Sequence, residues 1–186
     1  CASPNDMVVH GIPRPYRLRD GDILSLDVGV TLAGWVGDAA ITLQVGDAGQ
    51  LARTLMEVTE ESLRRAISKC RPGNHLGDVC HAVQEYVEAH GFSVVRSLVG
   101  HGIGREMHEE PQIPNFGTPG DGPELKEGMV FAIEPMVNAG THRVNMGTDK
   151  WAISTVDGAL SAHAEHTVAI TRRGPRLLTG GADGGG

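Results

Sequence analysis

Alternation of apolar and polar positions dominates the first third of the chain. From Asp22 to Val30, Leu24, Leu26, Val28 and Val30 alternate with Ile23, Ser25, Asp27 and Gly29, which predicts a strand. A second strand is predicted over Gly34 to Val45, with Val36, Asp38, Ala40 and Thr42 on one face. The short connection predicts a hairpin turning near Leu32–Ala33. The period then lengthens. Leu51, Leu55, Val58, Leu63, Ala66 and Ile67 predict a helix over Gln50 to Cys70, stopped by Arg71-Pro72-Gly73. Val79, Val83 and Val87 predict another over Leu76 to His90, with Gly91 as its C-terminal stop. Short strands are expected over Phe92 to Val95, Met129 to Asn138, Trp151 to Val156 and Ala162 to Thr171, and a long loop over Gly100 to Pro123. Strands, two helices and again strands make an α+β fold with a mainly antiparallel sheet the expected class.

Composition narrows the picture modestly. A chain of 186 residues can bury one substantial core, and no linker divides it. We expect one domain over residues 1–179 and a disordered Gly-rich tail over 180–186. The formal charge of −7 argues against nucleic acid or an anionic membrane as the main partner. Three cysteines, Cys1, Cys70 and Cys80, without a CxxC pair fit a reducing compartment, so the expected location is cytoplasmic. No apolar run reaches the length of a membrane span.

The acidic residues inside the strands change the picture most. A turn between Leu32 and Ala33 would set Asp27 directly opposite Asp38, with Cβ atoms about 5 Å apart. Like charges facing each other destabilise a sheet, and no Lys or Arg lies between Asp20 and Arg53 to neutralise them. A divalent cation would do so, since carboxylate oxygens are its natural ligands. If the register differs by one residue, one Asp instead faces solvent or occupies a turn. Gly100-His101-Gly102-Ile103-Gly104 and the following His108 supply imidazoles in a Gly-rich segment, without the helical HExxH pattern of single-zinc proteases. Glu134 and Glu165 each sit in an apolar stretch, where an unpaired carboxylate is costly; a salt bridge to Arg is the alternative to a metal.

Several segments together resemble type I methionine aminopeptidases, of the pita-bread fold shared with creatinase, prolidase and aminopeptidase P. They are Val8-Val9-His10-Gly11-Ile12-Pro13, Asp20-Gly21-Asp22 leading to Asp27, Gly37-Asp38, Gly100 to Gly104 with His108-Glu109-Glu110-Pro111, Glu134-Pro135-Met136-Val137-Asn138-Ala139-Gly140, and Glu165-His166-Thr167. The spacing between them leaves no room for the long insertion of type II enzymes.

The resemblance implies a metal-dependent aminopeptidase that removes N-terminal methionine from nascent proteins, using a hydroxide bridging two divalent ions (Co, Mn, Fe or Zn). It implies that Asp38 and Glu165 bridge the ions, that Asp27 completes one coordination sphere, and that His101 and Glu134 complete the other. Glu134 would be general base, and His10 and His108 would contact the scissile carbonyl or assist proton transfer. Cys1, Trp151 and Met107 would line the methionine pocket, Met107 standing where the family often has Phe. His163, where the family often has Gln, would approach the metals as an outer partner. Implied partners are the N-terminal peptides of nascent proteins, with ribosome association as a further expectation. The family usually carries about two helices and a strand ahead of the position of Cys1. Without them an apolar sheet face and part of the methionine pocket would be open. Prolidase-like peptidase activity, an inactive pita-bread fragment and a non-enzymatic pita-bread binding module are the alternatives.

Overall fold

The computed structural model describes residues 1–180, so nearly all of the tail expected over 180–186 lies outside the described residues. The strands are β1 (Ala2–Pro4), β2 (Met7–Val9), β3 (Ile23–Leu32), β4 (Trp35–Gln44), β5 (Ser93–Val94), β6 (Gly100–Gly102), β7 (Glu109–Ile113), β8 (Val130–Ile133), β9 (Met136–Asn138), β10 (Val144–Met146), β11 (Ile153–Thr155), β12 (Ser161–His163), β13 (Glu165–Thr171) and β14 (Gly174–Leu177). Two helices, α1 (Gly49–Lys69) and α2 (Leu76–Ala89), separate β4 from β5. The main sheet has the order β1-β3-β4-β13-β8-β6-β7, with β14 sharing an edge of β13, and every pairing is antiparallel. Two three-stranded sheets, β10-β11-β2 and β12-β9-β5, flank it. The expected α+β class with a mainly antiparallel sheet is met.

Periodicity located the long elements to within about two residues, as is usual for element ends. The strands expected over Met129 to Asn138 and Ala162 to Thr171 are each divided between two sheets, as β8 and β9 and as β12 and β13, and the hairpin and the long loop also depart from expectation. The hairpin turns at Ala33-Gly34, both with positive φ (50° and 77°), a two-residue loop of the kind that matches strand twist. Leu32 therefore pairs with Trp35, Asp27 with Ala40 and Asp38 with Gly29. Asp27 and Asp38 share a face as diagonal neighbours, not as a directly opposed pair. The long loop expected over Gly100 to Pro123 instead contributes β6 and β7 to the main sheet. Glycine there serves close approach: a Cβ at Gly100 would strike the Ala132 carbonyl, and one at Gly102 the Glu110 carbonyl.

The core lies between the sheets and the helix pair. Leu55, Val58 and Leu63 of α1 and Val79, Val83 and Val87 of α2 pack with Phe131, Ile133, Val137, Val168 and Ile170. Alternation along β13 sends Val168 and Ile170 to the helices and Glu165 and Thr167 to the opposite face. Beyond the helices, the β3–β4 hairpin leaves Val28, Val30, Leu32, Trp35, Ile41 and Leu43 exposed, an open apolar strip. Among the described residues no helix is long and apolar enough to cross a membrane.

Candidate metal centre

Four strands deliver the acidic residues and imidazoles to one place. Asp38 comes from β4, His101 from β6 and Glu165 from β13, and their ligand atoms lie within 4.8 Å of one another, all three residues buried. Glu134 joins through His101, with Oε1 3.6 Å from its Nε2. Glu134 is not mid-strand as expected: with Pro135 it forms the corner where the chain leaves β8 in the main sheet for β9 in a small one. Ala164 makes the equivalent corner between β12 and β13, and its N–H donates to the Pro135 carbonyl at 3.3 Å. The two carboxylates Glu134 and Glu165 thus flank adjoining corners. Asp27, half-buried, lies outside the 4.8 Å group but on the face it shares with Asp38.

The electrostatics are those of crowded anions. Burial, reinforced by Glu134, Asp38 and Asp27, pushes the Glu165 carboxyl up to about 10. Burial and then Asp38 and Asp27 raise Glu134 well above the carboxylate range, and burial followed by Asp27 raises Asp38. Glu165 Oε1 is buried and has no hydrogen-bond partner among the described residues. No Lys or Arg forms a salt bridge with these carboxylates, so the salt-bridge alternative finds no support among the described residues.

His101 is set up to offer a lone pair. Its Nδ1 lies 2.9 Å from the Gly102 carbonyl, which can only accept, so Nδ1 carries the proton. Burial lowers its pKa, and in the neutral ring Nε2, on the Glu134 side, is the unprotonated nitrogen. Hard carboxylate oxygens with one neutral imidazole form a donor set that suits Mn, Fe, Co or Zn. An orphaned carboxylate oxygen and mutually repelling acids are what a bound divalent cation would satisfy. The residues present fit the metal.

The remaining predicted site residues surround this group. The exposed His108 lies beside His101, ring centroids 4.4 Å apart and the rings tilted by 59°. His10 lies 5.5 Å, centroid to centroid, from the ring of Trp151. Its φ of 64° is uncommon for a residue with a Cβ and recurs at functional sites. The next residue fixes it there: Gly11 accepts from Ala2 N–H at 2.7 Å, donates to Ser3 Oγ at 3.0 Å, and has no room for a Cβ against the Ala2 carbonyl. Met107 folds over Gly29, where a Cβ would strike its Cε. Cys1 is exposed, and its backbone nitrogen donates to the Asp27 carbonyl at 2.6 Å. Trp151 is also half exposed, so neither encloses an apolar slot by itself.

Three supporting residues escaped sequence reasoning. Asn115, buried, donates from Nδ2 to the Glu134 carbonyl at 3.0 Å. Thr167 and Thr42 clasp the main chain of Asp38 and His163 respectively. A polar residue between Pro114 and Phe116 was the only sign of the first, and nothing local marks the threonines.

Comparison with known proteins agrees with this geometry. The family model of metallopeptidase family M24 matches residues 1–172. A methionine aminopeptidase of Clostridium perfringens is 54% identical over 179 residues, covering 96% of this chain and 72% of its own length. Methionine aminopeptidase 1 of Bacillus subtilis is 52% identical with the same coverage. The solved methionine aminopeptidase of Thermotoga maritima superposes with a TM-score of 0.95 at 51% identity, over 96% of this chain and 72% of that one. Pyrococcus furiosus prolidase superposes less closely, with a TM-score of 0.75 at 25% identity, over 96% and 48%.

Proposed function

The chain belongs to the metallopeptidases of family M24, and from that premise we propose that it is a metal-dependent methionyl aminopeptidase, with residues 1–179 as its catalytic unit. It is a hydrolase that removes methionine from the N-termini of peptides. The observation that carries the reading is the group of Asp38, His101 and Glu165 with Glu134 at the imidazole. In this reading the group and Asp27 hold two divalent ions, drawn from Co, Mn, Fe and Zn. Ions bound there supply Lewis-acid polarisation of a carbonyl and acidify water.

The chain's own residues do the rest. Glu134 accepts the proton of the attacking water and returns it to the departing amine as the peptide C–N bond breaks, leaving free methionine and a shortened peptide. Its position supports this role, since it stands at the edge of the acidic group with Oε1 3.6 Å from His101 Nε2. His108 and His10 orient the scissile carbonyl. Met107, Trp151 and Cys1 contact the methionine side chain, the thioether of Met107 offering a polarizable partner. The substrates are N-terminal peptides of nascent proteins, met in the cytoplasm at the ribosome.

The test is hydrolysis of Met-Ala-Ser against Xaa-Pro peptides after loading with Co, Mn or Fe. Release of methionine from Met-Ala-Ser is expected. A clear preference for Xaa-Pro would shift the reading to a prolidase-like peptidase. A folded protein that binds no metal would leave only a binding module.

A further inference from the structure

His163 is the deepest ionisable residue next to the metal centre, and it is the one whose nitrogens are left alone. It is 2% exposed, and neither Nδ1 nor Nε2 has a hydrogen-bond partner among the described residues. A buried imidazole without partners is costly, and such a group calls for an explanation. Its surroundings give one. Nε2 lies 3.7 Å from Glu134 Oε2, while Glu134 Oε1 lies 3.6 Å from His101 Nε2. One carboxylate is therefore flanked by two imidazoles, one at each oxygen.

The two imidazoles are not equivalent. His101 gives its proton to the Gly102 carbonyl, so it faces Glu134 with a lone pair. Two acceptors facing each other repel unless a cation joins them. His163 has no such carbonyl partner, so its proton is free to sit on Nε2 and point at Oε2. Closing the gap to a charge-assisted hydrogen bond takes a movement of about 1 Å.

The main chain of His163 is not free to drift. Thr42 Oγ1 donates to its carbonyl at 2.7 Å and accepts from its N–H at 2.9 Å, and Ser25 Oγ braces that hydroxyl at 2.8 Å. A ring anchored this firmly can direct a neighbouring carboxylate.

We propose that His163 is a positioning residue for Glu134: its Nε2–H holds Oε2 and so presents Oε1, on the His101 side, to a divalent ion. The inference rests on the reading of Glu134 as a metal ligand. A ring that merely fills space would be replaceable by an apolar side chain of like size.

The experiment is titration of the metal-free protein with Mn(II) by calorimetry and with Co(II) by visible absorption, for wild type, H163L, H163M, H163Q and E134Q. Glutamine keeps an N–H donor at similar reach; leucine and methionine do not. We expect H163L and H163M to weaken Mn(II) binding about 10- to 100-fold and to alter the saturated Co(II) spectrum, as loss of a ligand's partner does. H163Q should stay within about threefold of wild type. Native affinity and spectrum in either folded apolar variant, or loss in H163Q as large as in H163M, would overturn the proposal. If H163L fails to fold, H163M against H163Q decides. E134Q separates the two claims: if it binds metal like wild type, the ligand role of Glu134 falls, whereas weakened E134Q with native H163M sinks only the positioning role.

Discussion

The hydroxyl of Thr167 clasps both main-chain groups of Asp38. It accepts from the Asp38 N–H at 2.9 Å and donates to the Asp38 carbonyl at 2.8 Å. The backbone ladder between β13 and β4 covers Glu165 with Ala40 and His166 with Ala39, then ends; the side chain takes over at the next position. One threonine therefore ties the two carboxylates Asp38 and Glu165 into a fixed relation. Thr167→Val keeps the shape and removes both bonds, leaving a buried N–H and C=O unpaired at about 1–3 kcal/mol each. Thermal melting of the metal-free protein should fall accordingly, metal affinity should weaken, and Thr167→Ser should restore both. Unchanged melting in Thr167→Val would show that the clasp is not a structural tie.

Such ties explain what the sequence could and could not tell. Apolar periodicity shows α1 and α2 because each buries one stripe along its length, and β3 and β4 because apolar and polar residues alternate along them, even though Val28, Val30, Leu32, Ile41 and Leu43 on the apolar face stay exposed. Apolar alternation alone does not fix the register, which depends on turn geometry: Gly34, the residue suited to positive φ, belongs to the turn and not to the strand. β6 is hidden from the pattern because Gly100 and Gly102 stand where apolar residues would show alternation, and β7 because Glu109, Glu110 and Gln112 leave it mostly polar and exposed. Acidic residues in apolar strands made Glu165 legible through the cost of burial. Glu134 needed the resemblance as well, since its corner is defined by two sheets meeting. Thr42, Thr167 and Asn115 act across the fold, so no local pattern reports them.

Cysteine chemistry should be confined to one residue. Cys70 and Cys80 are buried, and burial pushes both thiols up to about 12, far from the thiolate that reacts. Cys1 is exposed. A disulfide reagent at pH 8 should titrate one thiol rapidly in the native protein and three in guanidinium chloride. Rapid titration of three without denaturant would contradict the packing of α1 and α2.

Removing metal should make stability depend on pH in a defined direction. The Glu165 carboxyl stands at about 10 when folded and ordinarily at 4.5. The folded chain thus holds a proton that the unfolded chain has released, and stability falls as pH rises between those values. His163, held at about 3 against an ordinary 6.5, acts in the opposite sense, but only below 6.5. From pH 7 to 9 the raised carboxyls act without that opposition, each proton difference contributing about 1.4 kcal/mol per pH unit. Melting temperature measured in chelator should therefore decline over this range. Saturating Mn(II) should abolish the decline, because a cation replaces the protons. A flat profile in chelator would mean that the acids are already neutralised by something else.

Asp38 and Asp27 offer a test in which stability and binding move in opposite directions. Asp38 is buried within the 4.8 Å group, whereas Asp27 stands outside it, half-buried and diagonal across the hairpin. Without metal each charge repels its neighbours, so neutralising Asp38 relieves the repulsion that also raises Glu134 and Glu165. Asp38→Asn should then melt higher than wild type in chelator. With metal the same change removes a ligand, so elemental analysis should find fewer ions per chain and methionine release should drop with them. Asp27→Asn should shift both quantities in the same directions but by less, since a less buried carboxylate is better screened by water. The pairing of a gain without metal and a loss with it distinguishes a ligand from a fold-stabilising acid, for which both would fall. Full metal occupancy in Asp38→Asn together with lost activity would instead place Asp38 in the chemistry and not in the coordination.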